Sequence, residues 1–306
     1  MLKILTLILS VILAAPVLAA PPAPETSDRG IFVPGRFSSI AACEEGNIFL
    51  LARDQRVVKV ATSGAQTSIS LPPAANGPAE FSDLTAAAGK LYLCGYPYSD
   101  IFALAPEKPA GYTLLKTGAP AKNLLNIAVK GEGFCIRDAD FNLYQVIPGK
   151  PAVSLDKNAG LESDKSGRTV VIPPPTQNGT DIVPAGRVFK DDGRLFWVAP
   201  APKAPAQTVS LEFLGVDTSD RHIFSVISAS GELDAVHTLY AVKRGRVESS
   251  MVIPGPDGLE MQHYCRLAPD GTVILVQADP NARDGVWVKR LNLKKGVFIG
   301  KPASRG

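Results

Sequence analysis

The chain has few of the side chains that most often carry chemistry. Its 306 residues include four cysteines, three histidines, three methionines and two tryptophans. His222, His237 and His263 do not share the short spacing of a metal-binding pair, so the sequence predicts no metal site. A G-x-S-x-G elbow, an H-E-x-x-H pair, an EF-hand loop and a phosphate-binding glycine loop are all missing. The sequence therefore assigns no catalytic residue and predicts no cofactor.

An excess of one charge is also missing. The chain carries 32 Lys and Arg against 29 Asp and Glu, a net charge of +3 that is spread along its length. Nucleic acids and anionic membranes attract proteins through clustered positive charge, so we expect neither as a partner. There is no second long apolar run after the N-terminal one. We therefore expect no membrane insertion once the N-terminal segment is removed.

The N-terminal segment has the pattern of a secretory signal peptide. Lys3 precedes an apolar run over residues 4–15 that ends in small residues. The alternative is an uncleaved membrane anchor, but the run is short for a spanning helix and is interrupted by Pro16. We expect residues 1–19 to be removed and residues 20–306 to form a single domain. This predicts a secreted or periplasmic protein.

An internal repeat dominates the first half of the mature chain. Three stretches, 46–60, 89–103 and 131–145, align without a gap, and their opening glycines are 43 and 42 residues apart. Each has a glycine turn, an apolar strand, a polar loop and a second apolar strand, with further apolar segments before and after. Four strands in a unit of about forty residues are typical of a β-propeller blade. Three unrelated hairpins in a β-sandwich are the alternative.

Looser anchors extend the pattern to the C-terminus. Gly167, Asp220 and Gly271 each precede an apolar run. Adding them predicts an all-β propeller of six blades, each with four antiparallel strands, with five or seven blades as alternatives. The fourth blade is the least regular, because its first strand is hard to find within residues 156–166.

The two chain ends carry short apolar segments that match each other. Residues 31–33 lie close to the start of the mature chain, and residues 296–299 lie close to the C-terminus. A circular array of blades must be closed, and either segment can complete the blade begun by the other terminus. We therefore expect the ring to close by pairing the two ends.

The repeat resembles the blades of NHL-repeat and gluconolactonase-like propellers, and residues 267–275 are similar to the Pro-Asp-Gly turn of TolB-type blades. This resemblance implies a propeller that serves either as a protein-binding platform or as a hydrolase with a metal in its central channel. Gluconolactonase-like enzymes use a glutamate near the start of the first blade. Glu45 lies there but lacks the Pro-aromatic continuation of that motif, so no catalytic residue is carried over to this chain.

The cysteines leave two alternatives open. In the gapless alignment, Cys135 falls one position before Cys94, so the two side chains have opposite parity on equivalent strands. Residues of opposite parity on neighbouring blades point at each other. A Cys94–Cys135 disulfide is therefore one interpretation, and two buried thiols that act as small apolar groups are the other.

The loops between the second and third strands of the blades are the predicted binding surface. In a propeller these loops gather on one face, around the mouth of the channel. They are rich in arginine and tyrosine, which are enriched at recognition hot spots. The alternative is a solvated set of loops with no partner. The candidate residues are Arg53, Asp54, Arg56, Tyr96, Tyr98, Arg137, Asp138 and Asp140.

These observations favour an exported binding or scaffold module whose ligand is an unknown protein or small molecule. A metal-dependent, lactonase-like hydrolase with a site in a channel ringed by acidic groups is the alternative. A structural domain within a larger surface assembly is a third hypothesis. Because one fold serves many functions, the fold alone does not decide among them.

Overall fold

The computed structural model describes most of the chain from residue 30 to residue 299, and the predicted signal segment 1–19 lies outside it. The described residues are 30–73, 80–109, 111–121, 123–155, 161–173, 176–178, 181–183, 186–203, 206–230, 235–256, 258–259, 261, 263–279, 281, 284–293 and 297–299. They form 27 strands and no helix. No helix capable of spanning a membrane is found in that part of the chain.

Most strands belong to six antiparallel sheets, which are the six predicted blades. Blade 1 contains β2 (Phe37–Ala42), β3 (Ile48–Ala52), β4 (Arg56–Val60) and β5 (Gln66–Ser70). Blade 2 contains β6 (Glu80–Ala87), β7 (Lys90–Tyr96), β8 (Ile101–Leu104) and β9 (Thr113–Leu115). Blade 3 contains β10 (Leu124–Lys130), β11 (Gly133–Asp138), β12 (Leu143–Val146) and β13 (Val153–Leu155).

The later blades are less uniform. Blade 4 contains β14 (Leu161–Ser163), β15 (Thr169–Val171), β18 (Arg187–Phe189) and β19 (Leu195–Val198), and a separate hairpin, β16 (Thr176–Asn178) and β17 (Asp181–Val183), lies between its second and third strands. Blade 5 contains β20 (Gln207–Val216), β21 (His222–Ala229), β22 (Val236–Lys243) and β23 (Arg246–Ile253). Blade 6 contains β24 (Cys265–Leu267), β25 (Val273–Ala278) and β26 (Gly285–Asn292), together with β1 (Ile31–Pro34) and β27 (Val297–Ile299).

The two chain ends close the ring, as the sequence predicts. Strand β1 pairs with the first half of β26, from Gly285 to Val288, and β27 pairs with its second half, from Arg290 to Asn292. The outer strand of blade 6 is thus shared between the N-terminal and C-terminal segments. Val33 in β1 is fully buried and joins the core between blades 6 and 1.

The core lies between the blades. Six apolar clusters fill the six junctions between neighbouring blades, and the smallest lies between blades 3 and 4. Because a blade is covered on both faces by its neighbours, its inner strands are apolar on both sides rather than alternating. All five residues of β3, for example, are buried. Burying one such Leu or Ile side chain stabilises the fold by about 1.5–3 kcal/mol.

The first strands of the blades surround the central channel. Strands β2, β6 and β10 contact one another in sequence, β20 contacts both β14 and β24, and β24 contacts β2. Successive strands alternate in direction, so the loops between second and third strands all lie at one end of the channel. We call this end the mouth face, and we call the end with the turns between first and second strands the opposite face.

The Cys94–Cys135 disulfide is absent, because all four cysteines are free and buried. Cys94 packs in the junction of blades 2 and 3, whereas Cys135 packs in the junction of blades 3 and 4. The gapless alignment is out of step by one residue in blade 3. The hairpin of the first two strands pairs Lys130 with Gly133 in blade 3, and it pairs Ala87 with Lys90 in blade 2. Counted from these pairs, Cys135 corresponds to Tyr92 rather than to Leu93. The two thiols therefore lie on corresponding faces of their blades and do not meet.

Candidate functional site

A buried ion pair fills the middle of the channel. The Lys165 ammonium donates to Asp83 Oδ2 at 2.8 Å, to the Ile127 carbonyl at 2.8 Å and to the Leu84 carbonyl at 3.1 Å. Lys165 follows the first strand of blade 4, and its three acceptors belong to blades 2 and 3. All three protons of the ammonium are therefore used, and one side chain joins three blades.

The carboxylate of Asp83 is equally well occupied. Its Oδ2 also accepts from the Ile127 backbone N–H at 2.9 Å, and its Oδ1 accepts from the Ser39 hydroxyl of blade 1. Burial alone raises the pKa of Asp83, but the charges of Lys165 and Arg266 and these hydrogen bonds together hold it below its ordinary value. The carboxylate is thus ionised and fully paired. We call Asp83, Lys165 and Ser39 the channel plug.

Bulges in the first strands direct polar groups into the channel. The register of β2 shifts between Phe37 and Ser39, and that of β6 shifts between Phe81 and Asp83. A bulge inserts one extra residue and turns the side chains that follow it. It therefore places Ser39 and Asp83 at the same level of neighbouring blades, where they hydrogen-bond to each other.

A second set of charges lies on blades 5 and 6. Glu212 Oε1 is 2.7 Å from His263 Nδ1 and accepts from an Arg266 terminal nitrogen at 3.2 Å. Burial raises the pKa of Glu212, but His263 and Arg266 outweigh it and hold the pKa below the ordinary value. The Nε of Arg266 is buried and has no hydrogen-bond partner among the described residues. The ring of polar groups around the channel therefore carries both signs of charge.

Above these charges a cavity of about 240 Å³ opens at the mouth face. It is smaller than the 300–1,000 Å³ that is usual for drug-sized ligands. The residues that line it come from blades 2 to 6: Asp83, Asn126, Ile127, Ala128, Cys135, Arg137, Phe141, Leu143, Glu162, Ser163, Asp164, Lys165, Glu212, Phe213, Leu214, His263 and Arg266. On the opposite face a second cavity, of about 220 Å³, is lined by the turns after the first strands.

A loosely bound charge pair of the cavity joins Arg137 and Glu162. The guanidinium donates to the Leu161 carbonyl at 3.0 Å but lies 3.5 Å from Glu162 Oε2. Burial raises the pKa of Glu162, and the nearby Glu212 raises it further, against the opposing effect of Arg137. Glu162 is thus a carboxylate that the surrounding protein stabilises poorly in its charged form.

Phe141 stands at the rim of the cavity in a backbone conformation that bulky residues avoid. Its φ is +62°, and 58% of its surface is exposed. It is the fourth residue of the five-residue turn 138–142. In this turn the backbone N–H of the first residue donates to the carbonyl of the fifth, and the backbone N–H of the fourth donates to the carbonyl of the first. Seven turns in the described part of the chain share both bonds, and their fourth residues are Gly46, Gly64, Phe141, Gly167, Gly193, Asp220 and Gly271.

The comparison among these turns shows what is unusual about Phe141. Five of the seven have glycine in the left-handed position, and one has aspartate, a residue that tolerates this region. Only at the channel mouth is the position occupied by a large apolar side chain. Asp138 Oδ1 fixes that turn by accepting from the backbone N–H groups of Asp140 and Asn142. A strained residue held in place by its surroundings is a candidate for a functional role.

The residues predicted from the loops divide into three groups. Arg137 lines the cavity. Arg53, Asp54, Arg56, Tyr96 and Asp140 lie on or beside loops of the mouth face, where Tyr96 is 57% exposed and Arg56 Nε donates to Asp54 at 2.7 Å. Tyr98 and Asp138 have structural surroundings instead: Tyr98 packs against Phe102 at 4.8 Å, and Asp138 is buried within its turn.

Sequence reasoning missed most of the cavity. Glu162, Glu212, His263 and Arg266 lie on or beside first strands, and only the ring geometry brings these distant residues together. Phe141 had a usable signal, because Asp138–Asn142 aligns with the turn Asp164–Arg168, where glycine occupies the position of phenylalanine. In the described residues, no three His, Cys, Asp or Glu side chains are grouped as a metal site requires.

Comparisons with known proteins address the fold. No protein-family model and no curated protein sequence matches the chain. A solved structure of YCF48 bound to D1 peptide is similar, with a TM-score of 0.50 and 10% sequence identity over 92% of this chain and 100% of that one. The β-propeller domain of Cps50 (Swd1) from Myceliophteria thermophila gives a TM-score of 0.52 and 8% identity over 85% of this chain and 99% of that one.

Both likenesses extend over nearly the whole length of the other chain, at identities that establish the fold and nothing finer. They agree with the propeller arrangement of the antiparallel sheets. The chain is a six-bladed β-propeller.

Proposed function

We propose that this propeller is an exported binding module that captures its ligand in the cavity at the mouth face. The observation that carries the proposal is Phe141, a large apolar side chain held outward at the rim in a position that five equivalent turns give to glycine. Retaining a strained, exposed aromatic residue costs stability, and contact with a ligand is the use that this location offers.

The surroundings of Phe141 support a binding role. Arg137, Glu162 and Glu212 line the cavity beside it, and the exposed Tyr96 lies at the start of the equivalent loop of blade 2. Aromatic residues and arginine are the residues most enriched at the centres of protein interfaces. One propeller with a similar fold was solved bound to a peptide, which is consistent with a protein ligand here.

The export that we propose rests on the signal pattern of residues 1–19. N-terminal sequencing of the protein recovered from the envelope or the medium would test it, and we expect a start at Ala20. Recovery of the intact chain in the cytoplasmic fraction would contradict export.

The hydrolase hypothesis has no observation of its own in its favour. Asp83 and Glu212 are both held by basic groups, whereas a catalytic metal would require several carboxylates that converge on one point. Metal analysis of the purified protein remains its direct test.

The binding proposal is tested with two matched variants. Phe141→Gly removes the exposed ring, and Asp220→Gly makes the same backbone change in the same type of turn on the opposite face. Wild-type and variant proteins are immobilised, exposed to the native envelope fraction, and compared by quantitative mass spectrometry. We expect a partner that is retained by the wild type and by Asp220→Gly but lost from Phe141→Gly.

Equal retention by all three proteins would place the binding surface elsewhere. Retention by none of them would contradict the binding function itself. Because both variants introduce glycine where φ is positive, neither is expected to unfold the protein, and a loss of capture can be assigned to the missing ring.

A further inference from the structure

The charged side chains of the cavity differ in how accessible they are. The fractional exposures of the side chains are 38% for Glu162, 30% for Glu212, 25% for His263, 21% for Arg137 and 11% for Arg266. Glu162 and Glu212 are thus the most exposed charges of the lining, and the arginines are more covered. A ligand that enters from the mouth face meets carboxylates first.

The same groups differ in how fully they are paired. Arg137 and Arg266 each donate to a protein oxygen, and the Lys165 ammonium has its three acceptors. Glu212 receives both of its partners on Oε1, and Glu162 receives its single long contact on Oε2. Among the described residues, Glu162 Oε1 and Glu212 Oε2 therefore accept no hydrogen bond. Both open acceptors therefore lie on the two most exposed charged side chains of the lining, whereas the unpartnered Nε of Arg266 is buried.

Both glutamates line the cavity, and the charge of Glu212 disfavours the charge of Glu162. A positive group between them would relieve this repulsion and would fill the two open acceptors. Phe141 lines the same cavity and is exposed at its rim. The face of an aromatic ring attracts ammonium and guanidinium groups, which adds to the preference for a cation.

We propose that the cavity receives the lysine or arginine side chain of a partner protein. A volume of about 240 Å³ suits one long side chain better than a drug-sized molecule. The stem of the side chain would pass Phe141 at the rim, and its charged end would lie between Glu162 and Glu212. This inference rests on the proposed binding function and specifies the chemistry of the ligand.

The test uses four acetylated and amidated pentapeptides that contain glycine and one central residue: arginine, lysine, citrulline or glutamate. Binding to the mature protein is followed by NMR titration, which detects millimolar affinities. We expect the arginine and lysine peptides to bind, the citrulline peptide to bind at least tenfold more weakly than the arginine peptide, and the glutamate peptide not to bind. Citrulline keeps the shape of arginine without its charge, so it isolates the electrostatic contribution.

Three variants locate the effect. We expect Glu162→Gln and Phe141→Gly each to weaken the arginine peptide at least fivefold, and we expect Asp220→Gly to leave its affinity unchanged. Because glutamine has the shape of glutamate, retained affinity in Glu162→Gln would overturn the proposal.

Other outcomes separate the two proposals. Stronger binding of the glutamate peptide, or equal binding of arginine and citrulline, would overturn the cation inference and leave the binding function standing. Absence of binding by all four peptides would also overturn it, whereas the binding function is decided independently by partner capture from the envelope fraction.

Discussion

The channel plug and the cavity mouth are built from the same types of side chain but have opposite hydrogen-bonding states. In the plug, Lys165 has three acceptors and both oxygens of Asp83 are used. At the mouth, Arg137 and Glu162 approach no closer than 3.5 Å, and Phe141 projects its ring outward. A saturated network rigidifies the structure around it, whereas an unsaturated one can accept a partner. The difference separates charges that hold the blades together from charges that are available to a ligand.

The largest expected effect comes from breaking the plug. Lys165→Met removes the ammonium and leaves the Asp83 carboxylate buried without its counter-charge, so we expect the free energy of unfolding to fall by about 3–5 kcal/mol. Urea denaturation measures the change. Lys150→Met, at an exposed position, is the control and is expected to change stability by less than about 0.5 kcal/mol. A loss below about 1 kcal/mol for Lys165→Met would show that the plug is not a structural element.

The plug also predicts how stability depends on pH. The pKa of Asp83 is lower in the folded protein than its ordinary value of 3.8. The stability that the ionised Asp83 carboxylate contributes is therefore fully present above that ordinary value, and it is lost as the pH falls through the lower, folded-state pKa. Lys165→Met should reduce this acid dependence, because the charge that lowers the pKa of Asp83 is removed.

The next largest effect is expected at Glu212, which lies between the two regions. Glu212→Gln removes the charge that binds His263 and Arg266, and charged hydrogen bonds of this kind contribute about 1.5–3 kcal/mol each. Because 30% of the side chain is exposed and solvent screens both bonds, we expect the free energy of unfolding to fall by about 1.5–3 kcal/mol in total in the same urea experiment. A loss as large as that of Lys165→Met would assign Glu212 to the plug, and no loss would assign it to the mouth.

The sequence predicts the two regions to different degrees. Blades 1–3 follow from the repeat, because the turns and apolar strands recur every 42 or 43 residues. The closure by the chain ends is also readable, since a ring of blades must be closed and both ends carry short apolar segments outside the repeat units. The first strand of blade 4 is not readable, because β14 has only three residues and none of them is fully buried.

The site is less predictable than the fold for a physical reason. Asp83 and Lys165 are 82 positions apart, and Glu212 and Arg266 are 54 apart. Their contact depends on the angles between blades and on bulges that turn the side chains, and neither leaves a local pattern. The Cys94–Cys135 hypothesis failed through a similar detail, since a shift of one residue in a turn reverses which face a strand presents.

A smaller effect is expected at the turn that carries Phe141. Phe141→Gly relieves a left-handed conformation that costs a non-glycine residue about 1–2 kcal/mol, and the added flexibility of the unfolded chain offsets part of the gain. We therefore expect stability to be unchanged or to rise by up to about 1 kcal/mol in urea denaturation. The gain from Asp220→Gly should be smaller, because aspartate tolerates this region better. A clear loss of stability in Phe141→Gly would mean that the ring serves packing rather than binding.

The smallest effect on stability, and the most informative about the mouth, is expected for Glu162. Its pKa is raised above the ordinary 4.5, so the folded protein binds more protons than the unfolded chain just above that value. Stability should therefore fall slightly as the pH rises from about 4.5 through the raised pKa, and Glu162→Gln should remove this slope. Because the side chain is 38% exposed, solvent screens its charge, and we expect a difference within about 0.5 kcal/mol.

The affinity for the arginine peptide should depend on the titration of Glu162 more strongly than stability does, and in the opposite direction. Protonation of Glu162 removes one of the two charges that would hold a cation, so the affinity for the arginine peptide should fall as the pH is lowered through the raised pKa. In Glu162→Gln this part of the pH dependence should be absent. A weaker dependence should remain from the other carboxylates of the cavity, Asp164, whose pKa is raised by burial, and Glu212, whose pKa is lowered. An affinity that rises on acidification, with the arginine peptide and the wild-type protein, would indicate that Arg137 rather than the glutamates selects the ligand, and the mouth would then be a site for an anionic group.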